Sequence, residues 1–144
     1  MVGIIVITHG DLGVAFLQSV SRIYGKMDQV EAVSIHSQDG KEIARNKLVD
    51  AIQKTNTGEG VLILADGFGG SPANLSCEMM PTTNCEIITG VNMNMLMEAL
   101  CYRERLPLKE LAQKSESGAK RGIVNVSELL RSRIQSSQEG SNHS

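Results

Sequence analysis

Two short polar stretches carry the residues best suited to chemistry in this 144-residue chain. His9 lies between Thr8 and Gly10 at the end of an apolar run, and Asp66 opens the stretch D-G-F-G-G-S-P at the end of another. A carboxylate that accepts a hydrogen bond from one imidazole nitrogen fixes the tautomer and leaves the other nitrogen free as a nucleophile. Asp66 is therefore the candidate to orient the ring of His9.

The glycine-rich stretch has the composition of a loop that holds a phosphoryl group. Gly69 and Gly70 allow backbone amides to approach a ligand closely, and Ser71 before proline indicates a helix start, which attracts anions. Gly10, ahead of the first predicted helix, offers similar amides. Neither stretch contains Lys or Arg, and no carboxylate cluster suggests Mg²⁺. We interpret the two stretches as a site that holds a phosphoryl group briefly on a histidine nitrogen, without a metal or cofactor.

The elements that position these residues follow from the hydrophobic pattern. Continuous apolar runs predict strands buried on both faces, and the spacing of apolar residues between them predicts helices. The predicted strands are Ile4 to Ile7 with its flanks, Val30 to Ile35, Val61 to Ala65 and Glu86 to Val91. This alternation predicts an α/β fold with an open, mostly parallel sheet and helices on both faces. The loops at His9, at Asp66 and at Asn92-Met93 then meet at the carboxyl edge of the sheet, where ligands bind in such folds.

The sequence predicts one folded domain followed by two shorter C-terminal segments. Residues 1–126 form the predicted domain, in which Gly122 to Val126 has strand character. We predict that residues 127–135 form a helical extension. The Ser- and Gln-rich residues 136–144 predict a disordered tail that contains His143.

Composition excludes several classes of protein. The net charge of −2, with no basic run and no Trp, argues against nucleic-acid binding. No apolar segment reaches the roughly 20 residues that a membrane helix needs. Three cysteines without C-x-x-C spacing suit the reducing cytoplasm, where we expect the protein to be located.

The motifs strongly resemble the IIA (EIIA) domains of the mannose-family sugar phosphotransferase system. I-V-I-T-H-G-D-L-G (Ile5 to Gly13) and D-G-F-G-G-S-P (Asp66 to Pro72) carry the resemblance. G-V-N-M-N-M-L (Gly90 to Leu96) resembles the third loop of that family, and E-S-G-A-K-R-G (Glu116 to Gly122) resembles its C-terminal segment. The resemblance covers Val2 to about Val126.

The resemblance implies that His9 accepts a phosphoryl group from the histidine-containing phosphocarrier protein. His9 would pass this group to a IIB protein, and thence to an incoming sugar, so that contact with the membrane is indirect, through a sugar permease. Asp66 would orient His9, and Ser71 would lie beside the phosphate. The family also implies a homodimer, in which Gly122 to Val126 is exchanged between subunits as an antiparallel edge strand.

Some residues depart from the family pattern. Gly67 stands where many members carry a hydroxyl or larger residue, Phe68 where some have Trp, and Asn94 where proline is frequent. Two alternatives stay open: a regulatory module that senses phosphorylation without sugar transport, and the phosphotransfer subunit of a dihydroxyacetone kinase. We expect His36, at the end of the second strand, to be a solvated turn residue.

Overall fold

A computed structural model describes residues 1–142 of the chain. Strands and helices alternate as far as α4, and two further helices follow. The elements are β1 (Gly3–His9), α1 (Leu12–Tyr24), β2 (Val30–Ile35), α2 (Lys41–Thr55), β3 (Val61–Ala65), α3 (Ser71–Met79), β4 (Cys85–Thr89), α4 (Met93–Tyr102), α5 (Leu108–Arg121) and α6 (Val126–Asn142). Within these described residues, no helix is both long and apolar enough to cross a membrane.

The four strands form one open, all-parallel sheet in the order β2-β1-β3-β4. The register pairs His9 with Ile35 on β2, and Ile7 with Ala65 on β3. The predicted α/β sheet is thereby confirmed, with β1 and β3 at its centre.

Helices cover both faces of the sheet, as the continuous apolar runs predict. Side chains of a strand alternate between the two faces. In β1, Ile4 and Val6 pack in a core layer with α1, α4 and α5, while Ile5 and Ile7 pack in a second layer with α2 and α3. Every residue of β3 is buried. The two strands that end at the candidate site therefore run through the middle of the molecule.

The segment predicted as a strand, Gly122 to Val126, differs in the structure. Gly122 terminates α5, and residues 123–125 link it to α6 without strand geometry. A strand requires a neighbour that pairs with its backbone groups, and no described strand of the same chain pairs with this segment. The antiparallel exchange between subunits stays a prediction.

The predicted disordered tail also differs, because α6 continues through residues 136–142. Asn125 Oδ1 accepts a hydrogen bond from the backbone N–H of Glu128 at 3.1 Å and so caps the first turn. Once a helix is nucleated, each further residue adds one hydrogen bond, which even a polar sequence can exploit. His143 lies outside the described residues.

Candidate active site

His9 and Asp66 lie side by side because their strands are neighbours. His9 is the last residue of β1, and Asp66 directly follows β3. The backbone N–H of His9 donates to Asp66 Oδ2 at 2.9 Å, and the same oxygen lies 2.8 Å from His9 Nδ1. The structure thus brings together the two residues that the sequence singled out.

The Asp66 carboxylate is held ionised at this position. Burial acts to raise its pKa, but hydrogen bonds from the backbone N–H and the ring of His9, together with the charge of His9, outweigh this effect and lower the pKa. Asp66 Oδ1 also accepts from the N–H of Gly67 at 3.0 Å. An ionised acceptor at Nδ1 places the proton of the neutral imidazole on Nδ1. Nε2 then carries the free lone pair.

The two side chains differ sharply in exposure. The side chain of His9 is 61% exposed, whereas that of Asp66 is 15% exposed. The carboxylate therefore lies beneath the ring, and the edge of the ring faces outward. The ring is therefore accessible to another molecule.

The glycine loop fits closely around this ring. A Cβ atom at Gly70 would lie 2.9 Å from His9 Cε1 and 3.5 Å from Nε2, so the close approach requires glycine. Gly69 adopts φ +81°, in the left-handed region that favours glycine. The backbone of both residues can therefore run alongside the nucleophilic edge.

Helix α3 begins at Ser71, so this serine is the first helical residue and not the cap. Gly70 is the N-cap, and no side chain caps the helix. The first amides of an uncapped helix have no partner within the helix and attract anions. The exposed Ser71 can add a hydroxyl donor at the same place. This end of α3 lies against the ring of His9.

Gly10 has a different role from the one its position suggests. Its φ is +56°, and its N–H donates to the carbonyl oxygen of Ile35 at 2.8 Å, which extends the pairing of β1 with β2. Because this amide is already engaged, it is unavailable to a phosphoryl group. Gly10 instead sets the turn by which the chain leaves His9.

Thr8 is a site residue that the sequence reasoning missed. Its buried hydroxyl accepts a hydrogen bond from the N–H of Gly13 at 2.8 Å and donates to the carbonyl oxygen of Gly10 at 3.2 Å. These bonds span the turn after His9 and supply a cap for α1, which lacks one from Asp11. A buried threonine that ends an apolar run was the available signal.

A cavity of about 840 Å³ opens beside His9, between the N-terminal ends of α2 and α3. His36 and Ser71 contribute to its wall. Asn92 of the third loop is not among the residues that line this cavity: its Oδ1 caps α4 through the N–H of Met95 at 2.8 Å, and its amide donates to the carbonyl oxygen of Ala119. Across residues 1–142, no group of three or more His, Cys, Asp or Glu side chains could hold a metal ion.

Comparison with known proteins places this arrangement in context. The model of the EIIA-man family, described as the PTS system fructose IIA component, matches residues 3–116. The fructose-specific EIIA component of Bacillus subtilis (strain 168) is 29% identical over 131 residues, which are 90% of this chain and 90% of that protein.

Two further similarities differ in how much of the other protein they cover. The mannose-specific EIIAB component of Escherichia coli (strain K12) is 30% identical over 107 residues, 74% of this chain and 33% of that protein. Among solved structures, the phosphotransferase system component EIIA from Streptococcus agalactiae has a TM-score of 0.81 at 26% identity, covering 89% of this chain and 99% of that one. The chain therefore spans a third of the two-part E. coli relative but nearly all of the single EIIA proteins.

Proposed function

Because the chain belongs to the EIIA-man family and is thus a phosphotransfer component of the sugar phosphotransferase system, we propose that it carries a phosphoryl group on Nε2 of His9. His9 accepts this group from the histidine-containing phosphocarrier protein and passes it to a IIB protein. The observation that carries the proposal is the 2.8 Å contact between His9 Nδ1 and Asp66 Oδ2.

This contact determines how His9 reacts. The lone pair of Nε2 attacks the phosphorus of the phosphohistidine on the donor, a new P–N bond forms, and the P–N bond of the donor breaks as its electron pair returns to the donor imidazole. The proton on His9 Nδ1 stays in place, so positive charge develops on the ring as Nε2 is substituted. The ionised Asp66 stabilises that charge and holds the ring in its orientation. The reverse sequence delivers the group to the acceptor.

The surroundings of the ring suit a transferred phosphoryl group. Its oxygens would lie at the uncapped start of α3, near the backbone of Gly69 and Gly70 and the hydroxyl of Ser71. The exposure of His9 leaves room for a histidine of another protein to approach from the side opposite the loop. Amides and one hydroxyl hold the group without a metal, which permits both acceptance and release.

The partners belong to the same proposal. Fructose and mannose, in the names of the relatives, are the first sugars to test for the pathway that a IIB acceptor would serve.

All three cysteines lie within the described residues and are free, which supports a cytoplasmic location.

We also propose a homodimer. Strand β4 forms one edge of the sheet, and its backbone groups on that side are open to pairing. The linker between α5 and α6 exposes Ile123 (76%) and Val124 (52%), which a partner would cover. In the proposed dimer this linker extends along β4 of the other subunit.

The experiment that tests the carrier chemistry uses the phosphorylated phosphocarrier as donor. We expect an acid-labile, base-stable phosphoryl adduct that mass mapping assigns to His9, and no adduct on the His9→Ala variant, which should fold normally. Labelling of that variant, or no labelling of the natural chain by a competent donor, would overturn the assignment. Labelled His9 that no IIB protein discharges would retain the chemistry and overturn the transport role.

A further inference from the structure

A second histidine shares the cavity with His9. His36 directly follows Ile35, the residue of β2 that pairs with His9 in the sheet. Both residues line the cavity of about 840 Å³, and the side chain of His36 is 34% exposed. The phosphoryl-carrier chemistry described above makes no use of this ring.

The contacts of His36 hold it at the side of the reactive loop. Its backbone N–H donates to Asp39 Oδ2 at 3.0 Å, and its Nε2 lies 3.7 Å from Oδ1 of Asp11, two residues beyond His9. The first contact fixes the backbone in the turn after β2. The second places the ring next to the carboxylate of Asp11.

Other charges around the cavity occur as opposite pairs. Asp39 is bonded to Lys47 at 2.8 Å, and Lys41 lies 3.3 Å from Glu78 of α3. The loops that carry His9 and Asp66 contain neither Lys nor Arg. His36 is likewise paired, with Asp11, and it is the imidazole besides His9 among the described residues that line this cavity, so it can gain positive charge by taking up a proton.

We propose that His36 is an electrostatic positioning residue, whose protonated ring stabilises the phosphoryl group on His9. This inference rests on the proposed carrier function. A phosphoryl group brings negative charge to His9, which the positive charge of the substituted ring offsets in part, so that about one net negative charge is added near neutral pH. Phosphorylation of His9 then favours protonation of His36, and by linkage protonation of His36 favours phosphorylated His9. The stabilisation is present when the pH is below the titration range of His36 and is lost as the pH rises through that range.

The first test is an NMR titration of the His36 ring in the full chain, before and after phosphorylation by the phosphocarrier. We expect the midpoint to rise by about 0.3 pH unit, the order of magnitude that Coulomb's law gives for one net charge acting through water-like surroundings. The same sample is checked by mass for phosphate on His9. An unlabelled His9 would overturn the carrier function, whereas a labelled His9 with an unmoved His36 midpoint would overturn this inference while the carrier function stands.

The second test measures how the phosphoryl group partitions at equilibrium between the phosphocarrier and this chain, at pH 6 and pH 8. Partition depends on the end states and is independent of docking rates. On passing from pH 8 to pH 6, we expect the natural chain to gain up to about twofold in the phosphorylated fraction over His36→Gln, because a midpoint that moves by about 0.3 pH unit changes the equilibrium by about that factor. His36→Lys, which stays charged, should show the higher fraction at both values.

A matched control removes a charge at the other end of the sheet. Lys26 is exposed and lies 3.8 Å from Asp28, remote from the cavity. Lys26→Gln should reproduce the pH profile of the natural chain. A role for His36 in folding alone would lower the phosphorylated fraction without changing its pH dependence. Equal pH profiles in the natural chain, His36→Gln and His36→Lys would overturn the proposal.

Discussion

At the scale of single residues, the reactivity of His9 depends on one oxygen atom. Asp66 Oδ2 accepts hydrogen bonds from both the backbone and the ring of His9. One bond ties the end of β1 to the loop after β3, and the other sets the ring. Loss of the carboxylate charge should therefore change the tautomer and charge of the His9 ring more than it changes the backbone conformation at the end of β1.

Asp66→Asn should slow phosphoryl transfer to His9 by about 10²- to 10⁴-fold, the range over which an uncharged orienting group weakens a histidine in enzyme sites. The neutral amide neither selects the Nδ1–H tautomer nor stabilises the positive ring. Rapid-quench measurement of labelling by the phosphorylated phosphocarrier gives the rate. The exposed Asp28, changed to Asn, serves as control. Equal rates for Asp66→Asn and the natural chain would remove Asp66 from the role of orienting group.

Gly70→Ala should reduce the transfer rate by about 10- to 100-fold, because a misplacement of the order of 1 Å costs about that much. The added methyl group would lie 2.9 Å from His9 Cε1, and the ring would have to move. Gly67→Ala in the same loop is the matched control, since a Cβ atom there meets nothing within 4 Å. The same quench assay applies, and similar losses in both variants would show that loop flexibility matters and that the contact with His9 does not.

At the scale of secondary-structure elements, the site residues lie at the ends of two buried strands, and the short turns that follow these strands orient the side chains of His9 and Asp66. Residues of β1 and β3 are buried up to the point where His9 and Asp66 begin. Thr8 then connects the end of β1 to the start of α1 through its hydroxyl. The strand, the turn and the helix thereby behave as one unit around His9.

Thr8→Val should lower the free energy of unfolding by about 1–3 kcal/mol, because the buried N–H of Gly13 loses its acceptor while the volume of the side chain is conserved. Thr8→Ser, which keeps the hydroxyl, should recover part of that loss. Urea denaturation measures both. Thr57→Val, in an exposed loop, is the control and should be nearly neutral. A Thr8→Val chain as stable as the natural one would show that the hydroxyl does not hold the turn.

The sequence predicted what depends on local pattern and failed where the answer depends on a partner or on register. Buried strands such as β3 can be predicted from the sequence because the residues on both faces are apolar. The ends of neighbouring parallel strands bring His9 and Asp66 together. The hydrogen bond from the Gly10 amide to the carbonyl oxygen of Ile35 depends on the register between β1 and β2, which cannot be predicted from the residue types. The linker at Ile123 has the composition of a strand, but no described strand of the same chain pairs with it. The C-terminal residues are polar, which predicted disorder, but Asn125 caps the first turn of α6.

At the scale of the whole molecule, several apolar side chains of the linker after α5 and of α6 are uncovered. Ile123 and Val124 are exposed, and so are Leu129, Leu130 and Ile134 of α6. Apolar side chains on an unpacked linker and helix mark a surface that association can bury. The proposed dimer accounts for both the linker and the open edge of β4.

Val124→Glu should shift the chain from dimer towards monomer, because the charge would have to be buried beside β4 of the partner. Sedimentation velocity over a range of concentrations measures this shift. Ile23→Glu on α1, where the natural residue is also exposed, should leave the association unchanged. A natural chain that sediments as a monomer throughout would overturn the dimer.

The placement of His9 and Asp66 on the central strands also governs where the chain opens first. Backbone amides of β1 and β3 are shielded on both faces, whereas residues 126–140 of α6 are exposed. Regions with few buried contacts open at low free-energy cost, while core strands open with the whole molecule. Fluctuations that fray the C-terminal helix therefore leave the histidine and its carboxylate assembled, and slow hydrogen exchange should extend to the very edge of the reactive loop.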